Sequence, residues 1–174
     1  MYVDSSKACN DLSFLLGSTA SGTTLATRSW SVRVTQLECG SDLLAPSGCT
    51  QYYYGSSTGT VQSFNYDGGQ HLANQQQSIC FRRERGNCRI CYTTQAIKDF
   101  QISSAGGMAS KFVTKSCCGY KGDGMGVERD CVIIPSLSST KGQTQVFQNI
   151  CGMGGLGTKS EALDDTKVKT LCSN

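Results

Sequence analysis

Cysteine is the residue type with the most evident chemistry in this chain. The 174 residues include 11 cysteines, of which Cys88 and Cys91 form one C-x-x-C pair, and a single histidine, His71. A structural zinc site needs four ligands, usually in two such pairs. Because a second pair is missing, disulfides in an oxidising compartment explain the cysteines better. The odd count predicts one cysteine that is free or bonded to another chain.

A catalytic site finds little support among the remaining residues. A Ser-His-Asp or Cys-His arrangement would have to use His71, which lies in the polar stretch DGGQHLANQQQ with no G-x-S-x-G motif beside it. The carboxylates are scattered, and no two of them stand out as a glycosidase pair. We therefore predict a protein without catalytic residues and keep a hydrolase that uses His71 as the least favoured alternative.

The segment GDGMGVERD gathers acidic residues that suggest calcium. Asp123, Glu128 and Asp130 lie here beside Lys121, but their spacing lacks the alternation of an EF-hand loop. A solvated turn is the better interpretation because there are too few oxygen ligands. We predict no metal and no cofactor.

Two short stretches are candidates for contact with a partner. Three consecutive tyrosines cannot all face one core, and tyrosine is favoured at interfaces because it combines apolar area with a polar tip. The basic stretch FRRERG places Arg82 and Glu84 on one face of a strand and two further arginines on the other, which is typical of a solvated hairpin end. The contact candidates are Tyr52, Tyr53, Tyr54, Arg82, Arg83 and Arg85.

Charge and hydropathy narrow the class of partner. Lys+Arg 16 against Asp+Glu 13 gives a net charge of +3, too weak for a nucleic-acid-binding domain. No apolar run reaches the roughly 18 residues that a membrane span needs. The opening MYVDSSKACN lacks the basic and apolar regions of a signal peptide, so a secreted form would be a mature or internal piece of a longer product.

The elements that would position these residues are nearly all strands. Apolar alternation predicts a half-buried strand at Trp30–Val34, and strands at Ile79–Phe81 and Ile90–Tyr92 joined as a hairpin by the turn near Gly86. Val132–Ile134, ended by Pro135, resembles a strand buried on both faces. We also expect a short strand at Phe112 and Val113 and one short helix at Glu161–Lys169. Short strands between turn signals predict a sandwich or barrel.

The order of several motifs resembles a known family. RSWSVRVTQLEC is followed by P-x-G-C-x-Q-Y, G-T-V-x-S-F-N, H-L-A-N-Q and I-C-x-R-x-E-x-G-x-C, densely over residues 28–92. The likeness continues through DCVIIP and ICG. This arrangement is similar to the CUB-like domains of secreted arthropod proteins. The resemblance implies an all-β fold, an antiparallel two-sheet β-sandwich of jelly-roll type, stapled by disulfides and acting in extracellular protein contacts.

The resemblance also implies particular disulfides and argues against calcium. By position it pairs Cys49 with Cys80 and Cys131 with Cys151. Reasoning from the residues alone leaves competitors open, since a short loop would pair Cys39 with Cys49 and a tight turn would bring Cys80 opposite Cys91. Many CUB domains place an acidic calcium ligand three positions after the third family cysteine. That position holds Ile134, so the resemblance predicts no such site.

The strand order departs from the family. Residues 1–39 resemble the closing strands of a CUB-like unit, whereas residues 40–174 resemble the opening and middle strands. A permuted sandwich, a fragment of a longer protein, or a domain completed by strands of the next copy would each explain this order. We predict a secreted, non-catalytic structural protein that self-assembles through strand exchange into an extracellular filament. The alternative is a monomeric recognition or inhibitor module for another protein or a glycan.

Overall fold

A computed structural model describes the fold of the chain in two compact units. The division falls between Arg85 and Gly86. The structure describes residues 1–5, 9–14, 29–68, 72, 74–96, 99–102, 118, 130–139, 147–153 and 170–173. Within them the regular elements are β1 Gln51–Tyr53, a one-turn 3-10 helix Tyr66–Gly68, β2 Ile79–Phe81, β3 Ile90–Thr93, β4 Gln101–Ile102, β5 Val132–Ser139, β6 Phe147–Ile150, β7 Gly152–Met153 and β8 Thr170–Ser173. The all-β class expected from the sequence is thus confirmed.

The first unit contains a small parallel pair of strands. Strand β1 lies beside β2 with Gln51 opposite Ile79 and Tyr53 opposite Phe81. The long connection between the two strands permits this direction, because parallel neighbours need a crossover of a dozen or more residues. Among the described residues of this unit, only Cys49 is buried. Its disulfide to Cys80, with Cα atoms 5.8 Å apart, joins the residue two positions before β1 to strand β2. Disulfides supply stability to units whose hydrophobic core is small.

The second unit contains an antiparallel sheet with the strand order β3-β8-β5-β6. A separate antiparallel pair is formed by β4 and β7. The core of the sheet is Leu137 of β5, Ile150 of β6 and Leu171 of β8, all at most 1% exposed. Burying each such side chain contributes about 1.5–3 kcal/mol. Tyr92, Phe100, Val132 and Ile134 pack around these three residues.

Strand β5 continues through Pro135, contrary to the prediction that it ends there. Val132 and Ile133 pair with β6, whereas Leu137 pairs with both neighbours and Ser138 and Ser139 pair with β8. Pro135 lies at the irregularity between these pairings, where a residue without an N–H is tolerated. Ile133 is 62% exposed, so the prediction of burial on both faces is also wrong.

The predicted hairpin between Ile79–Phe81 and Ile90–Tyr92 is wrong. The first of these strands pairs with β1 and the second with β8. Residues 85 and 86 do form a turn, with Gly86 at φ 86°. A turn alone does not make a hairpin when each flanking strand has a more favourable partner elsewhere.

The predicted strand at Trp30–Val34 is absent from the described part of the chain, where residues 29–38 belong to no regular element. Alternation specifies the two faces of a strand, but a strand also needs a neighbour for its backbone groups. The predicted strand at Phe112 and Val113 and the predicted helix at Glu161–Lys169 lie outside the described residues.

Disulfides connect distant parts of the second unit. Cys91 is bonded to Cys172, and Cys118 is bonded to Cys131. The predicted pairing of Cys131 with Cys151 is therefore wrong. The register of β5 and β6 brings Cys131 towards Cys151. Cys131 is nevertheless bonded to Cys118, 13 residues away along the chain. Cys151 is also disulfide-bonded. The competing pairs Cys39–Cys49 and Cys80–Cys91 are excluded, since Cys49 is bonded to Cys80 and Cys91 to Cys172.

Candidate interaction surfaces

The three consecutive tyrosines are divided between the two faces of β1. Tyr52 and Tyr54, two residues apart, lie together with ring centroids 5.2 Å apart. Tyr53 stacks on Phe81 of the neighbouring strand at 5.7 Å. This division follows the two-residue period of a strand. All three tyrosines are half-buried.

Arg82 contacts Tyr54, on the face of β1 that Tyr54 shares with Tyr52. Its guanidinium lies 5.0 Å from the centroid of the Tyr54 ring, within the range of a cation–π contact. Its Nε donates a hydrogen bond to Glu84 Oε1 at 2.9 Å, which agrees with the expectation that these two residues share a face. Tyr52, Tyr54 and Arg82 are called the tyrosine–arginine surface below. Arg83 and Arg85 are exposed.

Glu84 holds the loop that follows the tyrosines. The backbone N–H of Gly55 donates to Glu84 Oε1 at 2.7 Å. This bond, and then the one from Arg82, lowers the pKa of the Glu84 carboxyl. The same carboxylate raises the pKa of Arg82 by accepting its hydrogen bond. Gly55 has φ 80°, a conformation that side chains other than glycine rarely adopt.

The N-terminal residues lie against the start of β1. The Tyr2 N–H donates to the Thr50 carbonyl at 2.8 Å. Asp4 Oδ2 accepts hydrogen bonds from Ser47 Oγ at 2.6 Å and from the Gly48 N–H at 3.4 Å. Tyr2 meets the Tyr52 ring edge-on, with centroids 6.2 Å apart. Burial, and then the neighbouring tyrosine hydroxyls, raise the pKa of Tyr2.

A cleft of about 620 Å³ opens beside these tyrosines, within the first unit. The N-terminal residues and β1 line part of it, and residues 60 and 62–67 line the rest. Its aromatic members are Tyr2, Tyr52, Tyr53, Phe64 and Tyr66. These residues define the aromatic cleft. Sequence reasoning missed its loop, although the turn composition of FNYDG is a signal for it.

Residues 29–37 form a second surface, called the unpaired segment below. Trp30, Val32 and Val34 are 52%, 56% and 79% exposed. The Trp30 ring contacts Phe14 at a centroid distance of 5.0 Å, and Phe14 is itself 50% exposed. Among the described residues, none forms a backbone hydrogen bond with this segment.

The residues considered for catalysis and calcium are mostly not described. His71, Lys121, Asp123 and Glu128 lie outside the described residues, and Asp130 is exposed. Where the chain is described, no three His, Cys, Asp or Glu side chains are grouped as metal ligands would be. No described helix combines the length and hydropathy needed to cross a bilayer.

The all-β fold agrees with a comparison against protein families. The family model for the animal CUB domain matches residues 46–173, about three quarters of the chain. The chain therefore belongs to the CUB domain family. Domains of this family are generally extracellular modules that bind other proteins and have no catalytic activity of their own. Searches of curated proteins and of solved structures each returned no significant match.

Proposed function

We propose that this protein is a secreted, non-catalytic CUB-domain protein that assembles with further copies of itself by donating the unpaired segment to a neighbouring chain. One observation carries the proposal. Residues 29–37 have the alternation of a strand and no strand partner among the described residues, and they leave Trp30, Val32 and Val34 exposed. The apolar side chains that would form the buried face of a strand are thus exposed to solvent.

The distribution of exposed apolar residues supports association through the first unit. Ile133 is the one large hydrophobic residue of the second unit that is exposed in the described chain, and all others belong to the first unit. Besides the unpaired segment they include Leu12, Phe14, Leu43 and Leu44. Exposed large apolar side chains are thus concentrated in the first unit, and contiguous surfaces of this kind mark interaction sites.

The second unit offers edges to which a strand can be added. In the four-stranded sheet, β3 and β6 are the outer strands and each has a described partner on one side only. An open edge presents unpaired N–H and C=O groups that an extended segment from another chain can satisfy. A donor and an acceptor on different parts of the same chain make a head-to-tail contact, which continues into a filament when it does not close.

Sedimentation velocity over a range of protein concentrations tests the proposal. We expect the mass of the wild-type protein to rise with concentration. Val34→Lys should keep the protein monomeric, because it places a charge on the face that association would bury. The matched control is Thr35→Lys, which adds the same charge on the opposite face and should associate like the wild type. A wild-type protein that stays monomeric throughout would refute self-association, and equal effects of the two lysines would refute burial of the Val34 face.

A second candidate function is recognition of a different molecule by a monomer. The observation that favours it is the tyrosine–arginine surface, where Arg82 lies over Tyr54 beside Tyr52. Tyrosine and arginine are enriched at the energetically important centres of interfaces. Capture of a 1:1 partner that is lost with Arg82→Ala and retained with Arg85→Ala would support this function. Equal retention by both variants would count against it.

A further inference from the structure

The aromatic cleft has the dimensions of a ligand site. Its volume of about 620 Å³ lies within the range of small-molecule sites. Tyr2 and β1 residues line one part, and residues from the loop 60–67 line the other. Every lining residue belongs to the first unit. The cleft is separate from the unpaired segment, none of whose residues line it.

The lining combines aromatic rings with uncharged hydrogen-bonding groups. Gln51, Gln62 and Asn65 contribute carboxamides, which both donate and accept hydrogen bonds. The charged groups of the lining are the Asp67 carboxylate and the α-amino group of Met1, so the described lining carries no net charge. A phosphate, sulfate or carboxylate ligand would find no cationic side chain here. A purely aliphatic ligand would cover the Gln62 carboxamide and the Asp67 carboxylate without offering them hydrogen bonds, at a cost in free energy.

Hydrogen bonds hold part of this lining in place. Tyr53 Oη donates to Gln51 Oε1 at 2.7 Å, and Gln51 Nε2 donates to the Gln62 carbonyl at 3.0 Å. The strand and the loop are thus connected across the cleft. The loop itself turns sharply, because Asn65 has φ 63° and the Tyr66 N–H donates to the Ser63 carbonyl at 3.2 Å. Less conformational freedom is then lost when a ligand binds.

From this chemistry we infer that the aromatic cleft binds a neutral oligosaccharide. A pyranose ring has a C–H face that packs against an aromatic side chain, and Tyr66 is 40% exposed at the cleft. The hydroxyl groups of a sugar both donate and accept, which matches the Gln62 carboxamide and the Asp67 carboxylate. This inference goes beyond both proposed functions, because the cleft contains neither Arg82 nor Tyr54 of the tyrosine–arginine surface and its ligand does not depend on self-association.

Titration of the full chain with cellotetraose, chitotetraose and maltotetraose tests the inference. Calorimetry and saturation-transfer NMR should detect one-site binding of at least one of them, and Asp67→Asn and Tyr66→Ala should each weaken it by about tenfold or more. Trp30→Ala, on the unpaired segment, is the control and should leave the affinity unchanged. Because the Val34→Lys variant should be monomeric, repeating the titration with it separates this result from that of self-association.

The inference fails if none of the three sugars binds at roughly 10 mM, a concentration that detects even millimolar dissociation constants. It also fails if Asp67→Asn and Tyr66→Ala both leave the affinity unchanged. Binding of a heparin tetrasaccharide in place of the neutral sugars would overturn it as well, since the described lining has no cationic side chain to bind sulfate groups. If Tyr66→Ala lowers stability, Asp67→Asn still tests the inference, because asparagine has nearly the same shape as aspartate.

Discussion

Cys91 and Cys172 lie directly opposite each other in the neighbouring antiparallel strands β3 and β8 and are joined by a disulfide. The bond connects positions 81 residues apart in the sequence. Leu171, next to Cys172, belongs to the three-residue core of the sheet. This disulfide therefore joins β8, which contributes Leu171 to the core, to β3, which lies near the start of the second unit's sequence.

Removing this disulfide should destabilise the second unit strongly. A loop of this length restricts the unfolded chain, and losing such a bond costs about 2–5 kcal/mol. We expect the double variant Cys91→Ser/Cys172→Ser to lower the urea midpoint followed by circular dichroism, or to prevent folding. Cys88→Ser is the matched control, because Cys88 is an exposed free cysteine. Equal midpoints for wild type and double variant would contradict the structural role of the bond.

The core residues should respond to truncation according to their burial. Leu171 is 1% exposed, so Leu171→Ala should lower the free energy of unfolding by about 2–5 kcal/mol through lost burial and the cavity that remains. Ile133→Ala in the same sheet should cost much less, because that side chain is 62% exposed. Denaturant unfolding of the two variants measures the difference. A similar loss in both would show that this cluster is not the core.

The contact between Glu84 and Gly55 should be lost in acid. The pKa of Glu84 is lowered in the folded chain, first by the Gly55 N–H and then by Arg82. A lowered pKa means that the contact contributes at neutral pH and disappears as the pH falls through the folded value. We expect the Gly55 amide resonance in ¹H–¹⁵N spectra to titrate with a midpoint below that of a glutamate in a short peptide.

Two variants check the origin of that titration. Arg82→Ala should move the midpoint upward, because it removes one of the two groups that stabilise the carboxylate. Glu84→Gln should abolish the acid titration of the Gly55 amide. A Gly55 resonance that titrates equally in Glu84→Gln would mean that another carboxylate is responsible.

The thiols should separate into two classes under alkylation. Cys9, Cys39 and Cys88 are free and exposed. We expect iodoacetamide to modify these three in the folded monomer without reduction. Peptide mapping should recover Cys49 linked to Cys80, Cys91 to Cys172 and Cys118 to Cys131. A linked peptide that joins Cys131 to Cys151 would contradict the structure and restore the pairing that the family resemblance implied.

The predictions that depend on local geometry agree with the structure. Alternation correctly indicates that Arg82 and Glu84 share a face, and it requires Tyr53 to lie opposite Tyr52 and Tyr54. The strands at Ile79–Phe81 and Ile90–Tyr92 also form where the apolar period predicts them. Side-chain direction in a strand follows from backbone geometry alone, so a few residues suffice to predict it.

Strand partners could not be predicted in the same way. The turn near Gly86 suggested a local hairpin, yet Ile79–Phe81 pairs in parallel with Gln51–Tyr53 and Ile90–Thr93 pairs with Thr170–Ser173. The aromatic cleft was missed for a related reason, since Tyr2 and Tyr66 meet β1 from separate parts of the sequence. Contacts of this kind depend on long connections whose closure is not encoded in any one motif.

The sequence by itself determined the disulfide-rich composition, the all-β class, the family and the faces of the short strands, because each depends on residue type or on a period of two. Only the tertiary structure decided that Cys131 is bonded to Cys118, that Cys91 meets Cys172 and that Trp30–Val34 has no described strand partner. Eleven cysteines allow many pairings, and the pairing of distant strands places Cys91 opposite Cys172. An apolar face needs a neighbour to cover it, and a linear pattern does not specify which neighbour that is.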